Sequence, residues 1–198
     1  MRPESFHQDL SEEWSRWVLA HGLPEIPSPD LAVGESVPVA YWIGTSTAAV
    51  LHIRWALWDD DEEPMTEADV ELFCRSGSTW ELNGGGGGQW SMESSLSPTD
   101  VDPRSVELDG TISVWSQDRG CKALWGSVGT DAAIAEVIQA DQVTRRPVEA
   151  PVGAFVVCAD YADYAEAFIV RILDAQGELL VEVEEPAGSD EEPPWPGP

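Results

Sequence analysis

The stretch "AFIVRILDAQGELLVEV", residues 167–183, decides the fold class of this 198-residue chain. Two segments rich in Ile, Leu and Val flank a short polar sequence that contains Gly177. Apolar segments of this length around a short, glycine-containing turn are typical of a β-hairpin. The pattern therefore predicts two antiparallel strands that turn between Asp174 and Gly177.

A similar pattern recurs near the N-terminus, in ESVPVAYWIG (residues 35–44) and AVLHIRWALW (residues 49–58). Apolar residues alternate in both segments, and this is the period of a half-buried strand. We predict an adjacent antiparallel pair that is joined near residues 44–48. Pro38 lacks a backbone N–H donor, so it favours an edge strand or a β-bulge.

Three segments further along the chain add to this pattern. VELDGTISVW (residues 106–115) predicts a hairpin that turns at Asp109–Gly110. VGAFVV (residues 152–157) is apolar on both faces, which predicts a central strand. AAIAEVIQ (residues 132–139) alternates poorly, so a strand and a short helix both remain open.

The combined pattern predicts an all-β protein, because many short apolar segments separated by turn sequences are typical of sandwiches. We predict a mainly antiparallel β-sandwich, Ig-like in general architecture, over residues 31–185. It forms either one unit or two small β units with a boundary near residues 126–130.

The two ends of the chain do not follow the strand pattern. Residues 1–23 have apolar residues at three- and four-residue spacing, and Gly22 and Pro24 supply a stop signal, which predicts an amphipathic α-helix. We expect its apolar stripe to dock on the rest of this chain; docking on a partner is the alternative. Residues 186–198 are acidic and rich in proline, which predicts a disordered tail.

A run of five glycines lies between Trp80 and Trp90, and its members are Gly84, Gly85, Gly86, Gly87 and Gly88. A phosphate-binding loop needs a following helix N-terminus and usually a Lys or a Ser/Thr at fixed spacing, but Gln89 and Trp90 follow here. Ordering such a run costs roughly 1–2 kcal/mol per residue. We predict a flexible loop between two strands; close packing of the glycine backbone is the alternative.

The chain is strongly acidic, with 37 Asp and Glu residues against ten Lys and Arg residues and a net charge of -27. Such a charge opposes direct binding to nucleic acid and to anionic membranes, because both are polyanions. It favours a partner protein with a basic surface, and binding driven in this way is fast and sensitive to salt.

Motifs for catalysis and metal binding are missing from the sequence. The three histidines, His7, His21 and His52, are isolated and form no recognised metal motif. The acidic run at residues 59–63 lacks the alternating ligands and the glycine of a calcium loop. No GxSxG sequence for a nucleophilic serine occurs. We predict no catalytic residues, no metal site and no cofactor.

One predicted face has the composition of a protein interface. If the two N-terminal strands pair as predicted, the face opposite their aliphatic residues carries Trp42, His52, Arg54 and Trp58. Aromatic residues and Arg are enriched at interface hot spots. We hypothesise that these four residues form an interaction surface. The alternative is that a second sheet or the N-terminal helix covers this face, with Arg54 paired to an acid.

Cysteine usage and charge placement indicate a cytoplasmic protein. Cys74, Cys121 and Cys158 are too few and too scattered for a disulfide framework, so reduced and buried thiols are expected. Residues 1–23 carry charged residues inside the apolar pattern, unlike a signal peptide. No apolar run approaches the ~18 residues that a membrane-spanning helix needs.

Several segments resemble uncharacterised acidic β-rich proteins of high-GC Gram-positive bacteria. The resemblance is carried by Ile134 and Val137, by PVGAFVV and VRILDAQGELL, and by the glycine stretch between Trp80 and Trp90. It implies a bacterial intracellular β-rich protein. It implies no activity and transfers no functional residues.

These observations favour a non-enzymatic, cytoplasmic protein-binding module, such as an acidic inhibitor or an immunity-type protein. A DNA mimic is one alternative, and it would need carboxylates spaced like phosphates on an ordered surface. An enzyme or small-molecule binder with a site built from loops is another. The acidity could also be a property of the source proteome that carries no functional message.

Overall fold

The computed structural model describes residues 11–24, 34, 36–56, 65–90, 102–116, 119–140, 142–148, 153–161 and 167–185. Within these ranges the chain forms one α-helix and eleven β-strands, and all strand pairs are antiparallel. The predicted all-β fold with an N-terminal helix is therefore confirmed. The predicted tail at residues 186–198 lies outside the described residues, and the Ig-like comparison stays a prediction.

Three sheets contain all eleven strands. The helix α1 spans Ser11–His21, and the strands are β1 Ser36–Ile43, β2 Thr47–Ala56, β3 Met65–Ser76, β4 Thr79–Gln89, β5 Val106–Ser116, β6 Arg119–Val128, β7 Ala132–Gln139, β8 Gln142–Pro147, β9 Ala154–Tyr161, β10 Phe168–Asp174 and β11 Leu179–Glu185. Sheet A has the order β1-β2-β3-β4, sheet B the order β5-β6-β9, and sheet C the order β11-β10-β7-β8. A simple β-sandwich has two packed sheets, whereas the described residues form three.

The hairpin predicted at the C-terminus is confirmed as β10 and β11. The Asp174 carboxylate accepts hydrogen bonds from the backbone N–H groups of Gln176 and Glu178, at 2.9 and 2.8 Å. Gly177 has a φ of 82°, in the left-handed region that glycine enters without a steric penalty. The aspartate and the glycine therefore explain why the chain turns at this point.

A β-bulge in β1 determines which side chains of the first strand pair share a face. Pro38 lies opposite His52, but Ala40 lies opposite Leu51, so β1 accommodates one extra residue between them. A one-residue bulge exchanges the two faces of the strand beyond it. Trp42 therefore lies on the Leu51 face and not on the His52 face. The predicted preference of Pro38 for an edge strand or a bulge is confirmed.

Sheet A is covered on both faces along β2. On one face Ser15 of α1 is hydrogen-bonded to His52, and on the other Thr47 contacts Cys158 of sheet B. The six side chains of residues 48–53 are 0–2% exposed. Full burial of a Val, Leu or Ile side chain contributes about 1.5–3 kcal/mol, so β2 is a main source of stability.

The helix α1 docks on the rest of the chain, as expected from its apolar stripe. Trp14, Val18 and Leu19 are at most 7% exposed and belong to the main core cluster. Gly22 ends the helix with a φ of 85° and donates its N–H to the Val18 carbonyl. Residues 1–10 of the predicted helix lie outside the described part. Within that part, no helix has the length and the apolar composition that crossing a membrane requires.

Two local predictions in the second half of the chain are wrong. Asp109–Gly110 does not form a hairpin turn, because β5 continues through it with a bulge between Leu108 and Gly110. A Cβ at Gly110 would overlap the Trp125 ring, so this glycine admits a tryptophan instead of turning the chain. The end of VGAFVV, residues 154–157, lies in an edge strand, β9, and not in a central one. It is nevertheless buried on both faces, which explains its composition.

The buried residues form one cluster with members from α1 and from all three sheets. AAIAEVIQ is the strand β7 within sheet C, which decides between the two predicted alternatives. The proposed boundary at residues 126–130 falls at the end of β6. A division into two β units stays a prediction.

Candidate functional site

The structure separates the residues of the predicted interaction surface. Trp42 and His52 are each 2% exposed and lie on opposite faces of sheet A because of the bulge in β1. Arg54 pairs with Glu67, donating from Nε at 2.9 Å. Trp58 lies outside the described residues. The predicted common face is wrong for Trp42, whereas His52 and Arg54 share one face of sheet A. The helix α1 covers that face at His52, and Arg54 is paired with an acid, as the alternative predicted.

His52 forms a buried polar contact between β2 and α1. Its Nε2 lies 2.7 Å from the Ser15 hydroxyl oxygen, within hydrogen-bond distance. Ser15 is fully buried. The strand register places Asp69 of β3 directly opposite His52, while the His52 Nδ1 atom has no hydrogen-bond partner among the described residues. A serine, a histidine and an aspartate are thus brought together from three different elements.

The electrostatics of this group keep the imidazole neutral at physiological pH. Burial lowers the pKa of His52 to about 4, and the nearby Asp69 charge opposes this shift only in part. A neutral imidazole beside a hydroxyl has the composition of a base and nucleophile pair. However, the Ser15 hydroxyl is closed off from solvent, so this hydrogen bond positions α1 on sheet A and does not present a nucleophile.

The buried thiols are a second group with chemical potential. Cys121 and Cys158 lie on neighbouring strands, β6 and β9, and both are buried and free. A hydrogen bond with the Cys158 thiol, and then burial, raise the pKa of the Cys121 thiol. Because the thiolate is the reactive form, this environment makes Cys121 unreactive at neutral pH. The expectation of reduced, buried thiols is confirmed for both residues.

Two features of the described residues bear on a small-molecule site, a set of metal ligands and a cavity. Among the described residues, no group of three or more His, Cys, Asp or Glu side chains is arranged to hold a metal ion. The acidic run at residues 59–63 lies outside those residues. A cavity lined by Tyr41, Trp42, Val148 and Phe155 has room for about one water molecule. It is too small for an organic substrate.

The five glycines give the chain its most unusual strand. The predicted flexible loop at Gly84–Gly88 is wrong, because these residues lie within β4. They pair with β3 in unbroken register, from Leu72 opposite Gly84 to Ala68 opposite Gly88. Ladder hydrogen bonds and packing on both sides of the strand offset the entropy of ordering five glycines.

Close approach to sheet B explains the glycines on one side of β4. A Cβ at Gly84 would lie 2.8 Å from a methyl carbon of Val114, and one at Gly86 would lie 2.7 Å from the terminal methyl of Ile112. Real Cβ atoms do not approach other heavy atoms so closely. The backbone of β4 therefore sits directly on two β5 side chains, which is the alternative of close backbone packing.

Close approach to β3 explains the glycines on the other side. A Cβ at Gly85 would lie 2.7 Å from the Val70 carbonyl oxygen, and one at Gly87 would overlap the Ala68 carbonyl oxygen. Gly88, in contrast, has open space where a Cβ would lie. Gly85, Gly87 and Gly88 are exposed. The result is an accessible strand whose glycine half carries no side chains.

No protein-family model and no curated protein sequence matches this chain significantly. The resemblance to acidic β-rich proteins of high-GC Gram-positive bacteria accordingly stays a prediction.

Sequence reasoning missed two members of the buried polar group and the true setting of the glycines. Ser15 is a polar residue beside Trp14 in the buried stripe of α1, which is a weak signal for a polar contact. Asp69 could be placed opposite His52 only once the β2–β3 register was known. Neither residue carries a linear motif.

Proposed function

We propose that the protein is a non-enzymatic, cytoplasmic protein-binding module that covers a basic surface of its partner, as an acidic inhibitor or immunity-type protein does. The observation that supports this best is the internal use of its few positive charges. Every Arg side chain that the structure describes is engaged within the chain, and the acids are left in large excess.

Five arginines form ion pairs: Arg16 with Glu12, Arg54 with Glu67, Arg104 with Asp174 and Glu178, Arg145 with Glu136, and Arg171 with Glu182. Arg75 lies over the Trp80 ring, and Arg146 donates to the Ile43 carbonyl. Even if all ten bases of the sequence neutralised one acid each, 27 negative charges would remain. A surface of one sign steers and holds a basic partner.

The Ser15–His52 pair and the buried thiols have residue types that occur in catalytic sites, but their environments favour a binding function over catalysis. The Ser15 hydroxyl is closed off by the packing of α1, and the environment of Cys121 disfavours its thiolate. A catalytic nucleophile needs both access and activation. Binding through a charged surface needs neither.

The test is affinity capture from cells that naturally make this protein, at about 50 mM and about 500 mM salt, since screening weakens exposed charge pairs. We expect basic proteins, identified by mass spectrometry, to be retained at low salt and released at high salt. The purified partner must then bind directly with the same salt dependence. Partners that are not basic, or that bind equally at both salt concentrations, contradict the proposal.

A matched control for the capture is a variant in which four exposed acids become amides: Glu81→Gln, Glu107→Gln, Asp131→Asn and Glu184→Gln. All four side chains are exposed, so the fold should be unaffected. The variant should retain less of the same partner. A duplex DNA competitor separates the DNA-mimic alternative, because only a partner with a DNA-binding surface is displaced by it.

A further inference from the structure

We infer that the exposed edge of β4 binds an extended basic peptide segment as a fifth strand of sheet A. This inference rests on the proposed function and specifies how the basic partner docks. Four observations support it: the edge position of β4, the lack of shielding along its glycines, the acidic chemistry on one face and the apolar chemistry on the other.

The first observation is that β4 lies at the edge of sheet A and is paired only with β3. In an edge strand, alternate residues direct their N–H and C=O groups away from the sheet, where an added strand can pair with them. Gly85, Gly87 and Gly88 are exposed, and because they are glycines they carry no side chain that could block an added strand. The five glycines offer a pairing length of roughly 17 Å, which suits a peptide of five or six residues.

The second observation is that the other described edge strands are shielded. Proteins protect sheet edges with bulges, proline, charged side chains or cover by other elements. Strands β1, β5 and β11 contain bulges, β8 contains Arg145, Arg146 and Pro147, and β9 is buried along most of its length. Strand β4 also contains a bulge, at Asn83, and β5 packs on one of its faces. Beyond that bulge, residues 84–88 pair with β3 in unbroken register and include no proline and no charged side chain.

The third observation is acidic chemistry on the face of sheet A that carries α1. Glu71 and Asp69 of β3 lie opposite Gly85 and Gly87. Glu71 is only 8% exposed, and its Oε2 atom has no hydrogen-bond partner among the described residues. Because glycine carries no side chain, a Lys or Arg on a fifth strand can extend across β4 to these carboxylates. Residues opposite Gly85 and Gly87 should therefore be basic.

The fourth observation is apolar chemistry on the opposite face. Ile112 and Val114 of β5 lie against Gly86 and Gly84 and are only partly buried. Apolar residues of a fifth strand would extend this contact. Since side chains alternate between the two faces of a strand, the preferred peptide alternates basic and apolar residues.

The experiment uses three peptides with the full-length protein at low salt. The first is the alternating peptide Lys-Val-Lys-Val-Lys-Val, the second is the same sequence N-methylated at every internal amide, and the third is the block sequence Lys-Lys-Lys-Val-Val-Val. All three have the same charge, but the second lacks backbone donors and the third lacks the alternation. Affinities are measured by calorimetric titration.

We expect the alternating peptide to bind tightest and N-methylation to weaken binding roughly tenfold or more, because several backbone hydrogen bonds are lost together. Equal affinity of the alternating and N-methylated peptides overturns the inference while leaving the proposed function intact, since charge alone then explains binding. Failure of all three peptides to bind also overturns the inference. In that case the proposed function is judged by the capture experiment alone.

Two protein variants locate the site. Gly88→Lys places a cation on the β4 edge, where the open space around Gly88 accommodates a side chain. Val143→Lys makes the same change of charge on β8, at a side chain that is 54% exposed. Only Gly88→Lys should weaken the binding of the alternating peptide. In the natural protein, bound peptide should slow amide hydrogen exchange at Gly84–Gly88. Equal weakening by both variants, or unchanged exchange, contradicts binding at this edge.

Discussion

Strands β2 and β4 belong to the same sheet but obtain their order from different sources. The side chains of residues 48–53 in β2 are almost completely buried between α1 and sheet B. In β4 five consecutive residues have no side chain, and three of them are exposed. Burial of apolar side chains therefore holds β2, whereas backbone pairing and close backbone approach hold β4.

This difference shows that a strand sequence can be determined by steric exclusion, because a neighbouring strand leaves no room for side chains. In β2, replacing a residue removes contacts that stabilise the fold. In the glycine half of β4, adding a single carbon creates overlaps with β3 or β5. The first kind of strand is readable from apolar alternation, and the second is not.

The largest expected effect is the loss of packing at Leu51 in β2. Leu51 is fully buried, so Leu51→Ala should lower the free energy of unfolding by about 2–5 kcal/mol. Urea unfolding followed by tryptophan fluorescence measures this change. Leu82→Ala in β4 is the control, because Leu82 is 40% exposed and should lose less than about 1 kcal/mol. Equal losses would show that β2 and β4 are stabilised alike.

The next largest effect is a pH dependence of the free energy of unfolding, which comes from His52 in β2. Burial, only partly opposed by the charge of Asp69, lowers the pKa of His52 from 6.5 to about 4 in the folded protein. Below pH 6.5 the unfolded chain therefore binds a proton that the folded protein does not bind, so stability falls as the pH approaches 4.

The measurement is the free energy of unfolding at pH 7.5 and pH 4.5 for the natural sequence and for His52→Gln. The natural protein should lose about 2–3 kcal/mol more than the variant over this interval. The subtraction removes the contribution of the carboxylates that the two proteins share. An identical pH dependence of the two proteins would mean that His52 is not buried as described.

A smaller effect is expected from adding one carbon to β4. Gly87→Ala should lower the free energy of unfolding by about 1–3 kcal/mol, because its Cβ would overlap the Ala68 carbonyl oxygen and β3 must shift. Denaturant unfolding measures the loss. If the variant is as stable as the natural protein, the close approach of β4 to β3 is not a constraint.

The smallest effect is expected one residue further along. Gly88→Ala meets open space and should raise stability by up to about 1 kcal/mol, because alanine reduces the freedom of the unfolded chain. The sign of the difference between Gly87→Ala and Gly88→Ala is the informative quantity. If Gly88→Ala lowered the stability as much as Gly87→Ala does, β4 would be intolerant of any side chain, and the specific contact at Gly87 would not be the cause.

The candidate site was less predictable from sequence than the fold. Alternation in AVLHIRWALW identified β2, but the partner of each β2 side chain depended on one bulge in β1. That bulge moved Trp42 away from His52 and placed it in the core. The sequence predicts a flexible loop at the five glycines because glycine has high entropy in the unfolded chain. The contacts that order them come from β3 and β5, and no pattern within the glycine run indicates those partners.

The sequence by itself determined the all-β class, the N-terminal helix and the C-terminal hairpin. Each depends on local periodicity or turn chemistry, such as the aspartate and glycine that turn the chain after β10. Only the tertiary structure decided that Asp109–Gly110 continues a strand and that β9 lies at a sheet edge. It also decided that Gly84–Gly88 belong to a strand. These outcomes depend on non-local contacts, such as the Trp125 ring on Gly110, and no local pattern encodes which distant segment supplies such contacts.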